Sequence, residues 1–256
     1  MGTNKIPKII HYCWFGKNEK SPLLIKCMKT WKEKFPDYEI KEWNEDNFDV
    51  TENAYMKEAY ENKKWAFVSD YARLSIIYQY GGIYFDTDVE VIKNFEHLLS
   101  DSGYLGFENS SNQKDGKTVA TGLGFAAPPH DETIYAMLKD YENIHFIVDG
   151  KMDLRPCTVR NTESLVKIGL KPNGCLQKIG DIKIYPYEYF CGYDIANAHP
   201  KITDNTYTIH HYSALWKDTP SLKVKIKYGF LIPGIQKIIG YRAYDYIKSK
   251  LSGRKQ

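Results

Sequence analysis

Two aspartates separated by one residue, Asp86 and Asp88, close the segment Gly81-Gly82-Ile83-Tyr84-Phe85-Asp86-Thr87-Asp88. On an extended chain, residues two apart project to the same side, and buried unpaired carboxylates are expensive. A hard divalent cation would neutralise both, and Mg²⁺ or Mn²⁺ prefers carboxylate oxygens together with substrate phosphates. A solvated strand end with incidental acids is the plainer alternative for the pair taken alone. Just upstream, Ser69-Asp70-Tyr71-Ala72-Arg73 puts Asp70 and Arg73 on one face of a helix. The flanking Phe67-Val68 and Leu74-Ser75-Ile76-Ile77-Tyr78 mark that helix as largely buried, so its charges are expected to face a cleft. An aspartate that accepts and an arginine that donates suit the recognition of hydroxyls, whereas an ordinary surface ion pair contributes only ~0–1 kcal/mol.

The elements that must hold these residues can be read nearby. Lys8 to Phe15 is a compact apolar run closed by Gly16, as expected of a buried first strand. Leu23 to Phe35 is helix-like, with Ser21 placed to cap it and Pro22 at the first helical position. Tyr38 to Trp43 alternates apolar and charged residues like a half-exposed strand. Strand, helix, strand in that order implies α/β layering with parallel strands. Asn53 to Lys64 and Ser69 to Tyr80 read as helices, the second ended by Gly81-Gly82, which take a left-handed conformation cheaply. Ile83 to Phe85 is then a short strand leading into the aspartates. Tyr104 to Phe107, Leu123 to Ala127, Ile182 to Tyr185 and Thr206 to His210 read as strands, and Asp131 to Tyr141 as a helix.

The chain has 256 residues, 43% hydrophobic and 26% charged. Those values suit one globular domain with room for an appendage and exclude a disordered or collagen-like polymer. No segment approaches the roughly 18 uninterrupted apolar residues of a membrane-spanning helix, and the opening MGTNKIPKIIHYCWF is too polar for a signal peptide. Five cysteines with no C-x-x-C pair suggest neither a disulfide framework nor a zinc knuckle. A cytoplasmic protein is expected, placed at the inner face of the cell membrane if its tail binds lipid. From Ser221 onward nine basic residues face the single acid Asp245, so a net charge of +3 for the whole leaves the body at −5. The composition thus divides residues 1–220 from a basic tail, 221–256. Apolar and aromatic residues mixed with lysines fit a helical segment lying on an anionic membrane; packing on the body with lysines in water is the alternative. An acidic body argues against nucleic-acid binding.

Taken together, Ser69-Asp70-x-x-Arg73 and Gly81-Gly82-Ile83-Tyr84-x-Asp86-x-Asp88 resemble the DXD sugar-binding region of glycosyltransferase family 32. Ile6-Pro7-Lys8-Ile9-Ile10-His11-Tyr12-x-Trp14-Phe15-Gly16 and Ile209-His210-His211-Tyr212-Ser213-x-x-Trp216 extend the likeness over residues 5 to 217. That family includes bacterial capsular and O-antigen sugar transferases and fungal initiating mannosyltransferases, and is distantly similar to the glucosylating clostridial toxins. The resemblance implies a GT-A fold, a Rossmann-like mixed sheet flanked by helices, with a nucleotide-sugar site at the carboxyl ends of its strands. It further implies Trp14 against the nucleobase, with Ser69, Asp70 and Arg73 on donor-sugar hydroxyls. Tyr84 and Asp86 would meet the ribose or sugar, and Asp88 the cation, Mn²⁺ or Mg²⁺. His210 or His211 would complete the metal site, and Ser213 and Trp216 would face the diphosphate. Many relatives carry Gly-Ser-Trp or Ser-x-Trp where this chain has Ser213-Ala214-Leu215-Trp216. Adjacent strand residues face opposite ways, so which histidine points inward stays open.

The implied activity is metal-dependent, retaining transfer of a hexose from a nucleotide sugar, UDP-linked by preference, to a saccharide acceptor. A lipid-linked acceptor in surface-polysaccharide synthesis would give the basic tail its membrane. Sugar specificity is expected near Thr121-Gly122, where relatives often carry asparagine, with Leu123 to His130 lining the donor or acceptor side. Other readings remain. Phe85-Asp86-Thr87-Asp88-Val89 also satisfies the first motif of haloacid-dehalogenase phosphatases. A GDP-mannose-dependent or protein-modifying transferase and a non-catalytic sugar-binding module are further alternatives.

Overall fold

The apolar run after Pro7 forms β1 (Ile9–Cys13) in the computed structural model, which describes residues 6–100, 102–108, 117–194 and 199–213. The chain then forms α1 (Pro22–Lys34), β2 (Glu39–Trp43), α2 (Ala54–Glu61), α3 (Trp65–Tyr80), β3 (Gly82–Tyr84) and β4 (Val89–Val91). Next come β5 (Gly103–Gly106), β6 (Phe125–Ala127), α4 (Glu132–Lys139) and a short hairpin, β7 (Ile147–Val148) with β8 (Lys151–Met152). Helix α5 (Cys157–Lys167), β9 (Gln177–Ile179), β10 (Ile182–Tyr185) and α6 (Tyr187–Phe190) follow. The strands β11 (Tyr193–Asp194), β12 (His199–Pro200) and β13 (Thr208–His210) complete the described chain.

Seven strands make one mixed sheet in the order β2-β1-β3-β6-β5-β10-β9. The expected parallel pairing holds where the connections are helical: β1 is parallel to β2 and β3, and β5 to β10. Strands β6 and β9 run antiparallel to their neighbours. Side chains alternate between two cores, as the period of a strand requires. Ile10, Tyr12, Ile83, Tyr104 and Ala126 pack on Trp31 of α1, on Phe35 just after it and on Phe95. Cys13, Tyr84, Leu105, Phe125 and Ile184 pack under the helices α2 to α5. Trp31, fully buried, also donates its indole N–H to the Val89 carbonyl at 2.7 Å, tying α1 to β4.

Three local outcomes refine the sequence expectations. Helix α3 begins at Trp65, not Ser69, because Phe67 and Val68 belong to its buried face. Leu123 leaves the sixth strand: residues 121–123 form a single tight turn, and Gly124, at φ 100°, redirects the chain into β6. Ser21 does precede α1 in an extended conformation with Pro22 after it, but its side chain makes no capping bond. By contrast Asp131 caps α4, its Oδ1 accepting from the Thr133 and Ile134 amides at 2.8 and 3.2 Å.

The topology locates a ligand site. From β1 the chain leaves through α1 to β2 on one side, and returns through α2 and α3 to β3 on the other. In open α/β sheets such a reversal opens a crevice at the carboxyl ends of the strands. Trp14 follows β1 and the two aspartates follow β3, so both lie at that edge. No helix among the described residues is long and apolar enough to cross a membrane. Trp216, the boundary near Pro220 and the basic tail 221–256 lie outside the described residues.

Candidate active site

Helix α3 supplies the first half of the site. Its Asp70 and Arg73 are 6% and 4% exposed, so the pair is buried rather than solvated. The Arg73 Nη2 donates to Asp70, its Nε donates to the Ser69 carbonyl at 3.0 Å, and its Nη1 lies 3.4 Å from Asp86. The guanidinium also sits over the Tyr84 ring, 5.5 Å from its centroid. Tyr84 ends β3 on the face that α3 covers, and Asp86, two residues on, stays on that side; the Tyr84 hydroxyl donates to Asp86 at 3.0 Å. Burial pushes the Asp70 carboxyl up against the pull of Arg73. Burial likewise opposes charge on Arg73, but Asp86 and Asp70 overcome it and keep the guanidinium protonated. Ser69 contributes through its backbone: its own hydroxyl turns back to the Trp65 carbonyl at 3.0 Å.

The second half arrives from the far end of the chain. Strand β13 pairs antiparallel with β4, His210 opposite Val89, which brings the histidine beside Asp88. Its Nε2 lies 3.1 Å from Asp88 Oδ1 and 3.9 Å from Asp86 Oδ2. The Ser213 amide donates to Asp88 Oδ2 at 2.8 Å. Burial would raise the Asp88 carboxyl, but the His210 imidazole and the Ser213 amide hold it well below the usual carboxylate range. His210 is itself raised, burial being outweighed by Asp88, Asp86 and the more distant Glu108. The ambiguity between the two histidines is resolved by the pleat. His211 turns away, its Nε2 2.8 Å from Glu90, and among the described residues it is His210 that lies with Asp86 and Asp88.

Asp86, Asp88 and His210 each offer one ligand atom, and these atoms lie within 4.8 Å of one another. A six-coordinate ion with ligands about 2.1 Å away sets neighbouring ligand atoms ~3 Å and opposite ones ~4.2 Å apart. The 3.1 and 3.9 Å separations fall in that range. Two carboxylates with one imidazole form a mixed oxygen–nitrogen set suited to a divalent first-row ion such as Mn²⁺. The residues present therefore fit the cation that the DXD pattern implies.

Trp14 stands at the carboxyl end of β1, partly buried, its Nε1 donating to the Asn18 carbonyl at 2.7 Å. The Lys20 ammonium lies 5.3 Å from its ring centroid. Two residues join the site with no warning from the sequence, and a third, Gly122, lies closer to it than expected. The Cys157 thiol, at the start of α5, lies beside Asp70 and favours its charged form. Glu108 follows β5 at the same edge of the sheet and contributes to the field on His210. Gly122 leaves no room: a Cβ there would come 2.5 Å from Asp86 Oδ2 and 3.3 Å from Arg73 Nη1. The Thr121-Gly122 pair expected to bear on sugar specificity thus abuts the acidic cluster itself.

Parts of the chain are similar to known proteins. Residues 21–105, from α1 to β5, match the family described as "Glycosyltransferase sugar-binding region containing DXD motif". That stretch includes Asp70, Arg73, Asp86 and Asp88, so this part of the chain is similar to glycosyltransferases that carry the DXD motif. Inositol phosphoceramide mannosyltransferase 3 of Schizosaccharomyces pombe is 33% identical over 98 residues, which are 37% of this chain and 27% of that protein. The match thus spans about a quarter of that relative's length. Among solved structures, a glycosyltransferase involved in glycosylation of the major capsid of PBCV-1 aligns at 14% identity, over 81% of this chain and 95% of that one, with a TM-score of 0.44. The galactosyltransferase LgtC, in complex with donor and acceptor sugar analogs, aligns at 14% identity over 80% and 87%, with a TM-score of 0.42. The PaToxG glycosyltransferase aligns at 17% identity over 63% and 69%, with a TM-score of 0.40.

Proposed function

We propose that this protein transfers a hexose from a nucleotide sugar to a saccharide acceptor, with a divalent cation and with retention of anomeric configuration. The observation that carries the reading is the convergence of Asp86, Asp88 and His210 beside the buried Asp70–Arg73 pair. A bound Mn²⁺ or Mg²⁺ would supply Lewis-acid stabilisation of the charge that develops on the departing diphosphate.

The chain's own residues do the rest by positioning. Asp70 and Arg73 fix each other's orientation and present their remaining lone pairs and N–H groups to the donor-sugar hydroxyls. Trp14 offers an aromatic face to the nucleobase, a contact that tolerates any base. The Ser213 amide and His210 hold Asp88 charged and in one orientation. In the reaction the bond from the anomeric carbon to the phosphate oxygen breaks as the acceptor oxygen bonds from the same face. The acceptor's proton passes to the leaving diphosphate.

A uridine diphosphate donor and a lipid-linked acceptor in surface-polysaccharide assembly complete the reading, at the inner face of the cell membrane. GDP-mannose is the second donor to consider, because the S. pombe relative is a mannosyltransferase by name. The phosphatase reading is less favoured. Its nucleophile would be Asp86, which here lies against Arg73 and Tyr84, and the residue that completes the acidic pair is a histidine from a distant strand.

The test is a donor screen that reads UDP or GDP release from their sugars with Mn²⁺ present. One donor should turn over in the wild type, and Asp88→Asn should reduce that turnover ~100-fold or more. Equal turnover by the two proteins would remove the cation from the mechanism.

A further inference from the structure

Tyr212 is one of two residues between the groups that hold Asp88, His210 and Ser213, and none of the contacts described above involves it. Its φ is 48°, a left-handed conformation that bulky side chains rarely adopt. Such residues cluster at functional sites, where the surrounding structure holds them in place. The geometric effect can be traced. In a straight strand side chains stand perpendicular to the sheet while amide N–H groups lie in its plane. The His210 side chain and the Ser213 amide could not then meet one carboxylate. With the turn at Tyr212, His210 Nε2 lies 3.1 Å from Asp88 Oδ1 and the Ser213 amide 2.8 Å from Oδ2. The His211 amide adds a third anchor, donating to the Asp88 carbonyl at 3.1 Å.

The Tyr212 ring acts on His210 directly. The two rings meet edge to face, centroids 4.1 Å apart at 77°, and the tyrosine hydroxyl is 3.3 Å from the Cys191 sulfur. Tyr193 backs the ring from 5.9 Å. A metal-binding histidine ordinarily donates its other ring N–H to a carboxylate, carbonyl or water, and that bond orients the ring. Here His210 Nδ1 is buried and has no hydrogen-bond partner among the described residues. Among the described residues, it is the Tyr212 ring that packs against this imidazole.

We propose that Tyr212 is a positioning residue of the cation site: its ring orients His210, and its left-handed backbone delivers the Ser213 amide to Asp88. The inference rests on the cation reading of Asp86, Asp88 and His210.

The test is Mn²⁺ affinity, read by electron paramagnetic resonance on the whole protein without donor, with the melting temperature recorded alongside. Tyr212→Phe keeps the ring and should bind within about twofold of wild type. Tyr212→Asn accepts positive φ but has no ring; it should bind about fivefold more weakly, the loss expected of one aromatic contact. With donor present, the Mn²⁺ concentration that gives half-maximal turnover should rise by the same factor. Tyr212→Leu, a second ring deletion of similar bulk, gives the same test should the asparagine variant fold poorly. A lowered melting temperature with unchanged Mn²⁺ affinity in the ring-less variants would overturn the inference and leave the cation reading standing. No saturable Mn²⁺ binding by the wild type would overturn both.

Discussion

His11 lies at the centre of the junction that delivers both halves of the α3–β3 motif, and its chemistry makes stability depend on pH. It is fully buried, its Nδ1 accepting from the Trp43 indole at 2.9 Å and its Nε2 donating to the Gly81 carbonyl at 3.0 Å. Only the neutral ring with its proton on Nε2 satisfies both bonds. A second proton would set one N–H against another. Burial first, and then Lys41, lower its pKa from 6.5 to about 4, against the pull of the Gly81 carbonyl. Because the folded pKa lies below the unfolded one, the unfolded chain binds more protons between those values. The contribution of His11 is therefore complete above pH ~6.5 and is lost as pH falls toward 4, by ~3 kcal/mol in all at 1.36 kcal/mol per unit. Between pH 7 and pH 5 the loss is about 2 kcal/mol. Urea unfolding of the wild type and of His11→Gln at these two pH values reads it directly. Glutamine can donate to Gly81 without titrating, so the variant should be less stable at pH 7 yet show a pH dependence flatter by about 2 kcal/mol. Parallel curves for the two proteins would show that His11 is not the neutral, doubly bonded ring described.

Arg73→Met would leave Asp70 and Asp86 facing each other without a counter-charge. Thermal and urea unfolding should show a loss of ~3–5 kcal/mol, as for other buried pairs broken on one side. Arg73→Lys keeps the charge but not the fork that reaches Ser69, Asp70 and Asp86 at once; donor turnover should fall further than stability does. Gly122→Ala should leave the fold intact, but its Cβ, built 2.5 Å from Asp86 Oδ2, must displace that carboxylate. Turnover should fall ~10-fold or more, given how steeply rate depends on sub-ångström placement; wild-type kinetics in that variant would mean Asp86 has slack the structure does not show.

The α3–β3 half of the site was legible because all its determinants are local. A buried helix with an ion pair, a Gly-Gly stop, three apolar residues and two aspartates fall within twenty positions. The other half was not, because it depends on register between distant strands. Val89-Glu90-Val91 is too short a run to declare itself a strand, yet its pairing with β13 decides that His210 and not His211 faces Asp88. Helix α5 escaped notice for a different reason. Its inner face buries Arg160, Asn161, Thr162 and Ser164 beside a single leucine, so the apolar periodicity that signals a helix is missing. Cys157 and its contact with Asp70 went unseen with it. Thr121-Gly122 was singled out in the sequence for sugar specificity, but the need for a glycine was not legible there, since it comes from the approach of Asp86 and Arg73 from other elements.

The central claim is that Asp86, Asp88 and His210 hold the cation that stabilises a departing diphosphate. The most direct measurement is a crystal structure with Mn²⁺ and a nucleoside diphosphate, the metal located by its anomalous scattering. The account predicts one peak within coordination distance of all three side chains, with phosphate oxygens completing its shell. A nucleotide bound with the metal elsewhere, or with Asp88 still closed on His210 and Ser213 and no metal beside it, would contradict the account.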